Sequence, residues 1–173
     1  VCMNHSSQLD FFVGAAIMPP WGSVIAKQEI LKIPLLGWTV SILGLITIDR
    51  SDPERARQSV TEAANRIRDE HASILIAPEG TRSQTGRLGP FKMGAFHLAG
   101  AVEAPLLVVV FKWPAERQPL GTQLVKPGTI TVEVLDTIDP GEVSSLTPHE
   151  LRDRVRSVYL QVMEDGAAPP ETN

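Results

Sequence analysis

Four short apolar runs, at 23–26, 45–48, 74–77 and 106–111, are separated by segments that carry helix signals. This alternation restricts the fold more than any other feature of the chain. A strand covered on both faces reads as a continuous apolar run, and alternating strands and helices build a parallel sheet with crossovers on its faces. The helix signals are local. Ser7-Gln8-Leu9-Asp10 fits a capping box, and Pro19-Pro20 stops the helix it opens near Met18. Residues 28–32 read as one helical turn, because Ile33 precedes a proline. Pro34 suits the first position of a helix ending at Gly44. Asp52 caps a longer helix with Pro53 at its first position, and Val60, Ala63, Ala64 and Ile67 recur at helical spacing. Residues 94–99 read as a short helix. Residues 124–126 and 129–135 flank Pro127-Gly128 as the arms of a hairpin. Thr147-Pro148-His149-Glu150 is a second capping box, with Leu146 and Leu151 as its staple. The helix it opens buries a stripe of Leu151, Val155, Val158, Tyr159 and Val162.

The expectation is a single α/β domain over 1–165, with a largely parallel central sheet flanked by helices and antiparallel strands late in the chain. Residues 166–173 read as a disordered tail. A strand is already under way at 1–3, so the domain is expected to be truncated at its N-terminus, with room for a membrane anchor before it. A length of 173 residues supports one substantial core. The net charge of −4 argues against a nucleic-acid partner. The acidic excess lies in 99–173, so an anionic ligand is expected in the first half. Cys2 is the only cysteine, which excludes an intrachain disulfide and fits a reducing compartment. His5, His71, His97 and His149 show no metal-ligand spacing, and no cofactor is expected. The longest nearly apolar run, 33–48, contains Pro34, Gly37 and Gly44 and falls short of the roughly 18–20 residues that span a bilayer.

Two strings carry chemistry. In 4–10, a helix starting near Ser7 puts Asp10 in its first turn, within reach of His5. An imidazole that donates its Nδ1 proton to a carboxylate is fixed in one tautomer, with Nε2 free to accept a proton. A free imidazole titrates near ~6.5, suited to a base at neutral pH. The plainer alternative is a capping Asp10 and a loop His5. A serine nucleophile is disfavoured: neighbours at a helix start seldom face each other, and the chain has no Gly-x-Ser-x-Gly elbow. Ser7 is assigned to capping and Ser6 is left open. In 78–82, the preceding run delivers Pro78-Glu79-Gly80-Thr81-Arg82 to a sheet end, where open α/β folds bind ligands. Gly80 allows close backbone approach, and Arg82 can grip phosphate with two hydrogen bonds. Glu79 either orients an arginine or sits in solvent; taken alone, the string is a polar turn. Arg50 follows 45–48 in the same way, with an ion pair to Asp49, Asp52 or Glu79 as its alternative. Lys27 and Lys92 add positive charge to the same cleft, or are ordinary surface lysines.

Four blocks in this order resemble the glycerolipid acyltransferases typified by 1-acyl-glycerol-3-phosphate (lysophosphatidic acid) acyltransferase. Residues 4–10 are similar to the family's His-x-x-x-x-Asp motif, 44–50 to its second block, 78–83 to its third and 104–108 to its fourth. The resemblance implies that His5 is the catalytic base and Asp10 its partner. It implies that Arg50, Glu79, Gly80, Thr81 and Arg82 shape the acceptor site, and that Pro105 helps form the acyl or acceptor pocket. Ala77 stands where many members carry an aromatic residue. The implied reaction moves a fatty acyl group from acyl-CoA or acyl carrier protein to the free hydroxyl of lysophosphatidic acid, without a metal. The implied location is membrane-associated, on the cytoplasmic face. Phe11, Phe12, Met18, Trp21, Leu35, Leu36 and Trp38 are candidate apolar contacts with the lipid interface. Competing readings are another acceptor (glycerol 3-phosphate, another lysophospholipid, an acylated amino-acid lipid), a catalytically silent lipid- or carrier-binding relative, and a hydrolase.

Overall fold

The computed structural model describes residues 1–7, 9–42, 44–49, 51–83, 87–112 and 126–165. In chain order the elements are β1 (Cys2–Met3), α1 (Asp10–Ile17), β2 (Ser23–Lys27), a 3-10 turn (Gln28–Lys32), α2 (Leu36–Ile42), β3 (Ile46–Ile48), α3 (Pro53–Glu70), β4 (Ile74–Leu75), α4 (Gly94–Val102), β5 (Leu106–Lys112), β6 (Thr131–Ile138), α5 (Pro140–Ser145) and α6 (Pro148–Asp165). The strands form two groups, β3-β2-β4 and β1-β5-β6. A parallel bridge between Cys2 and Ile76 joins the groups, with Met3 N–H donating to Ile76 O at 3.0 Å and Ile76 N–H to Val1 O at 2.9 Å. The spatial order is therefore β3-β2-β4-β1-β5-β6. Every pairing is parallel except β6 on β5.

Successive strand residues point to opposite faces, and the core follows that rule. Cys2, Ile25, Ile46, Ile74, Val108 and Val110 face α3, α4 and α6, where they meet Ala63, Ala64, Phe96, Leu98, Leu151, Val155 and Tyr159. Met3, Val24, Leu75, Val109 and Phe111 form the other face, against Val13 of α1. Helix α1 lies close to that face: a Cβ at Gly14 would sit 2.4 Å from Leu75 Cδ2. Tyr159 bolts α6 to the sheet from the first face. Its buried hydroxyl lies 2.9 Å from Cys2 O and 2.8 Å from Val109 O, across the seam between β1 and β5.

Both cap predictions at the ends of the chain's long helices hold. Asp52 Oδ1 accepts from the N–H groups of Glu54 and Arg55. Glu150 Oε2 accepts from Thr147 N–H and Oγ1–H, which holds its carboxyl below the ordinary carboxylate range. Two expectations need correction. Helix α1 starts at Asp10, not Ser7. The Ser7 hydroxyl turns to Leu9 N–H at 3.0 Å, and only the return arm of the box forms, from Ser7 N–H to Asp10. Helix α2 starts at Leu36, because Ile33 stays extended before Pro34 and Leu35 takes a left-handed φ of 67°. The late antiparallel pair is β6 with β5; the hairpin expected at Pro127-Gly128 has residues 124 and 125 of its first arm outside the described residues. The tail at 166–173 also lies outside them. Helix α5 follows Asp139-Pro140 and was not anticipated.

Candidate active site

Parallel pairing brings the carboxyl ends of β1, β2, β3 and β4 to one edge of the sheet. His5, Lys27, Asp49 and 78–82 all follow those ends. His5 leaves β1 two residues beyond Met3, and its imidazole is 27% exposed. Nδ1 lies 2.8 Å from Asp10 Oδ2. The same oxygen accepts the N–H groups of Ser6 at 2.8 Å and Ser7 at 2.9 Å. Asp10 is fully buried. A carboxylate only accepts, so Nδ1 is the protonated nitrogen and Nε2 is the basic one. Asp10 thus performs both roles that were set against each other: it closes the start of α1 and orients the imidazole.

The turn after β4 holds the main chain of His5. Glu79 is 3% exposed. Its Oε1 accepts His5 N–H at 2.9 Å, and its Oε2 accepts Gly89 N–H at 2.8 Å. It therefore neither orients an arginine nor sits in solvent: each of its oxygens is engaged by a part-buried backbone donor. Ser83 N–H donates to His5 O at 2.7 Å, so both polar groups of His5's peptide are tied to 79–83. Gly80 sits at φ 71°, a conformation that favours glycine, and its N–H closes a turn on Ala77 O at 3.1 Å.

The backbone amides at the start of α1 and at Gly80 are engaged. Ser6 and Ser7 serve Asp10, Leu9 serves Ser7 Oγ, and Gly80 serves Ala77. Ser7 is fully buried with its hydroxyl occupied, which removes it as a nucleophile.

The remaining candidates separate. Arg82 and Thr81 are exposed on the turn tied to His5, and among the described residues neither side chain makes an ion pair or hydrogen bond. Lys27 reaches the same edge but pairs with Glu29 at 2.8 Å. Lys92 is exposed, and its N–H donates to Pro78 O at 2.7 Å, which places its backbone beside the same turn. Arg50 lies outside the described residues; its neighbour Asp49 bonds Ser51 and faces Arg55 at 3.5 Å. Pro105 precedes β5, at the amino edge of the sheet, and is not brought to His5. Asn4, Ser83 and Gly89, which hold this loop, were not singled out from sequence for that task. Among the described residues no cluster suits a metal ion.

Fold and site together define an α/β domain with a carboxylate-held histidine at the carboxyl edge of a parallel sheet. Residues 1–112 match the family model Acyltransferase, and the chain belongs to that family. It is similar to a 1-acyl-sn-glycerol-3-phosphate acyltransferase of Limnanthes douglasii, with 35% identity over 96% of this chain and 59% of that protein. It is similar to a protein of the same name from Escherichia coli (strain K12), with 30% identity over 91% of this chain and 64% of that one. The crystal structure of the 1-acyl-sn-glycerophosphate (LPA) acyltransferase PlsC from Thermotoga maritima superposes with a TM-score of 0.76 at 26% identity, covering 99% of this chain and 67% of that one. The chain thus spans less than two thirds of the length of either sequence relative.

Proposed function

We propose that this domain transfers a fatty acyl group from a thioester, acyl-CoA or acyl carrier protein, to the free hydroxyl of lysophosphatidic acid, giving phosphatidic acid. The observation that carries the reading is the His5–Asp10 pair at 2.8 Å, with Nε2 left as the basic nitrogen of a partly exposed ring. Nε2 takes the proton of the acceptor hydroxyl as its oxygen attacks the thioester carbonyl. The tetrahedral intermediate collapses with loss of the thiolate, which takes up the proton held on Nε2 and leaves the imidazole neutral again. Asp10 holds the ring and stabilises the imidazolium. Arg82, unpaired among the described residues and on the turn bound to His5, is the phosphate anchor that makes the attack nearly unimolecular. The N–H groups of Thr81 and Arg82, which make no hydrogen bond among the described residues, are the candidate oxyanion donors.

The acceptor is a lipid, and the surface is suited to an interface. Phe12, Trp21, Ile33, Leu35, Trp38 and Ile42 are exposed, Trp38 by 72% and Leu35 by 73%. Of the other apolar candidates, Phe11 and Met18 are half-buried. No described helix is long and apolar enough to cross a membrane. Liposome flotation with anionic vesicles tests this part, and protein left in the soluble fraction contradicts it.

The central test is thioester consumption across a panel of lyso-lipid acceptors, run with wild type and His5→Ala. The expected result is a preference for lysophosphatidic acid and a loss of at least ~100-fold in turnover for His5→Ala. Arg82→Ala is expected to raise the acceptor KM more than it lowers kcat. Equal turnover by His5→Ala refutes the mechanism; thioester loss without any acceptor points to a hydrolase.

A further inference from the structure

The β1–β5 register pairs Cys2 with Val108 and Met3 with Val109, and one more pair of steps would set His5 opposite Phe111. The main chain does not take those steps. Asn4 is 6% exposed, and its side-chain amide lies against the backbone of Phe111: Phe111 N–H donates to Asn4 Oδ1 at 2.7 Å, and Asn4 Nδ2 donates to Phe111 O at 3.2 Å. A primary amide has the donor and acceptor of a peptide group, so it can satisfy the next rung of the ladder in place of main chain. The groups it replaces are Asn4 C=O and Ser6 N–H, which a continued ladder would turn to Phe111, and Ser6 N–H is thereby left to serve Asp10 Oδ2. His5 N–H and C=O face the other way, as Val1 O and Met3 N–H do toward Ile76, and are held by Glu79 and Ser83.

We propose that Asn4 is a positioning residue for the base: its amide stands in on β5 for Asn4 C=O and Ser6 N–H, so that the chain leaves the sheet at His5 and Ser6 N–H turns to the Asp10 carboxylate that holds the imidazole. The inference rests on the reading of His5 as the base, but not on the identity of the acceptor. An aspartate at this position keeps an acceptor for Phe111 N–H and loses the donor. An alanine loses both, leaving Phe111 N–H and C=O unpaired in a buried seam. The main chain of 4–6 can then follow β5 for one more rung, which takes Ser6 N–H from Asp10 and draws the carboxylate and the His5 ring apart.

The experiment compares Asn4→Ala and Asn4→Asp with wild type and with Val143→Ala, a core change in α5, away from the site, chosen to match the loss of thermal stability. Turnover is read well below each variant's melting temperature. The expected result for Asn4→Ala is a fall in kcat of about 10- to 100-fold with both KM values within about twofold, since a displacement near 1 Å costs up to that much. Asn4→Asp falls less, and Val143→Ala keeps its kcat. The second readout needs no substrate: the exchange-protected imidazole Nδ1 proton of His5, assigned by its absence in His5→Ala. His71, His97 and His149 are exposed and do not protect such a proton. The resonance is expected in wild type and Val143→Ala, and weakened or lost in Asn4→Ala. Should Asn4→Ala not fold, Asn4→Asp carries both readouts. A folded Asn4 variant with wild-type kcat and an intact Nδ1 resonance overturns the proposal. If the acceptor assignment is wrong, turnover on lysophosphatidic acid fails for every protein while the resonance pattern still holds.

Discussion

Glu79→Gln separates a structural brace from a substrate ligand. In the native site each carboxylate oxygen of the buried Glu79 accepts one part-buried N–H, at 2.9 Å from His5 and 2.8 Å from Gly89. The amide of glutamine fits the same space but offers one acceptor and one donor. Whichever way it turns, one backbone N–H then faces an NH2 group. A hydrogen bond to a charged group contributes about 1.5–3 kcal/mol, and an unsatisfied buried donor costs about 1–3 kcal/mol. Allowing for partial relaxation, roughly 3–4 kcal/mol should be lost. That is a large fraction of a typical stability of about 5–15 kcal/mol, but it leaves a folded protein. In urea, with a slope near ~2 kcal/mol per M, the unfolding midpoint should fall by roughly 1.5–2 M. Turnover of the folded variant should drop by about 10- to 100-fold through the loosened His5 backbone, with the acceptor KM little changed. A ligand role predicts the opposite pattern: an unmoved midpoint and a raised acceptor KM. Observing that second pattern would refute the brace.

Asp10→Asn should keep the fold of the 4–10 loop but place an amide opposite Nδ1, and steady-state turnover should fall by about 10²- to 10⁴-fold, the range seen when a buried orienting carboxylate is neutralised. Tyr159→Phe removes the hydroxyl shared by Cys2 O and Val109 O, at a cost of about 1–2 kcal/mol, so a thermal melt should shift down by roughly 2–6 °C with kcat unchanged. Burial pushes the Cys2 thiol up to about 11 from an ordinary 9.0. Its folded state therefore holds the proton more tightly, and the associated stability is fully present below pH 9.0 and lost as pH rises through about 11. Urea midpoints measured across that window should decline, and Cys2→Ala should flatten the decline.

Local chemistry was legible wherever a signal and its partner lie a few residues apart. Asp52 with Pro53, Thr147 with Glu150, and the doubly covered runs of β2, β4 and β5 all follow from neighbours in sequence. The errors sit where distant chain decides. Nothing in 33–36 announces that Leu35 will take a left-handed φ. Antiparallel strands late in the chain could be expected, but not that the partner of β6 is β5, some twenty residues back.

The site shows the same division at finer scale. The five-residue spacing of His5 and Asp10 is a within-turn distance, so the pair could be read directly, although a cap and a base-orienter had to be weighed against each other until one oxygen was found to serve both. Glu79 is the opposite case. Its string looks like a solvent-facing turn, and its burial depends on His5, 74 residues away, and on Gly89. A buried acid of this kind is marked in sequence only indirectly, by the glycines near it. Gly80 makes the turn, and a Cβ at Gly89 would lie 3.1 Å from Glu79 Oε2 and press on the carboxylate. The turn thus carries its own anion: Glu79 takes the N–H of Gly89 on one oxygen and that of His5 on the other, while Arg82 and the amides of Thr81 and Arg82 have no partner among the described residues.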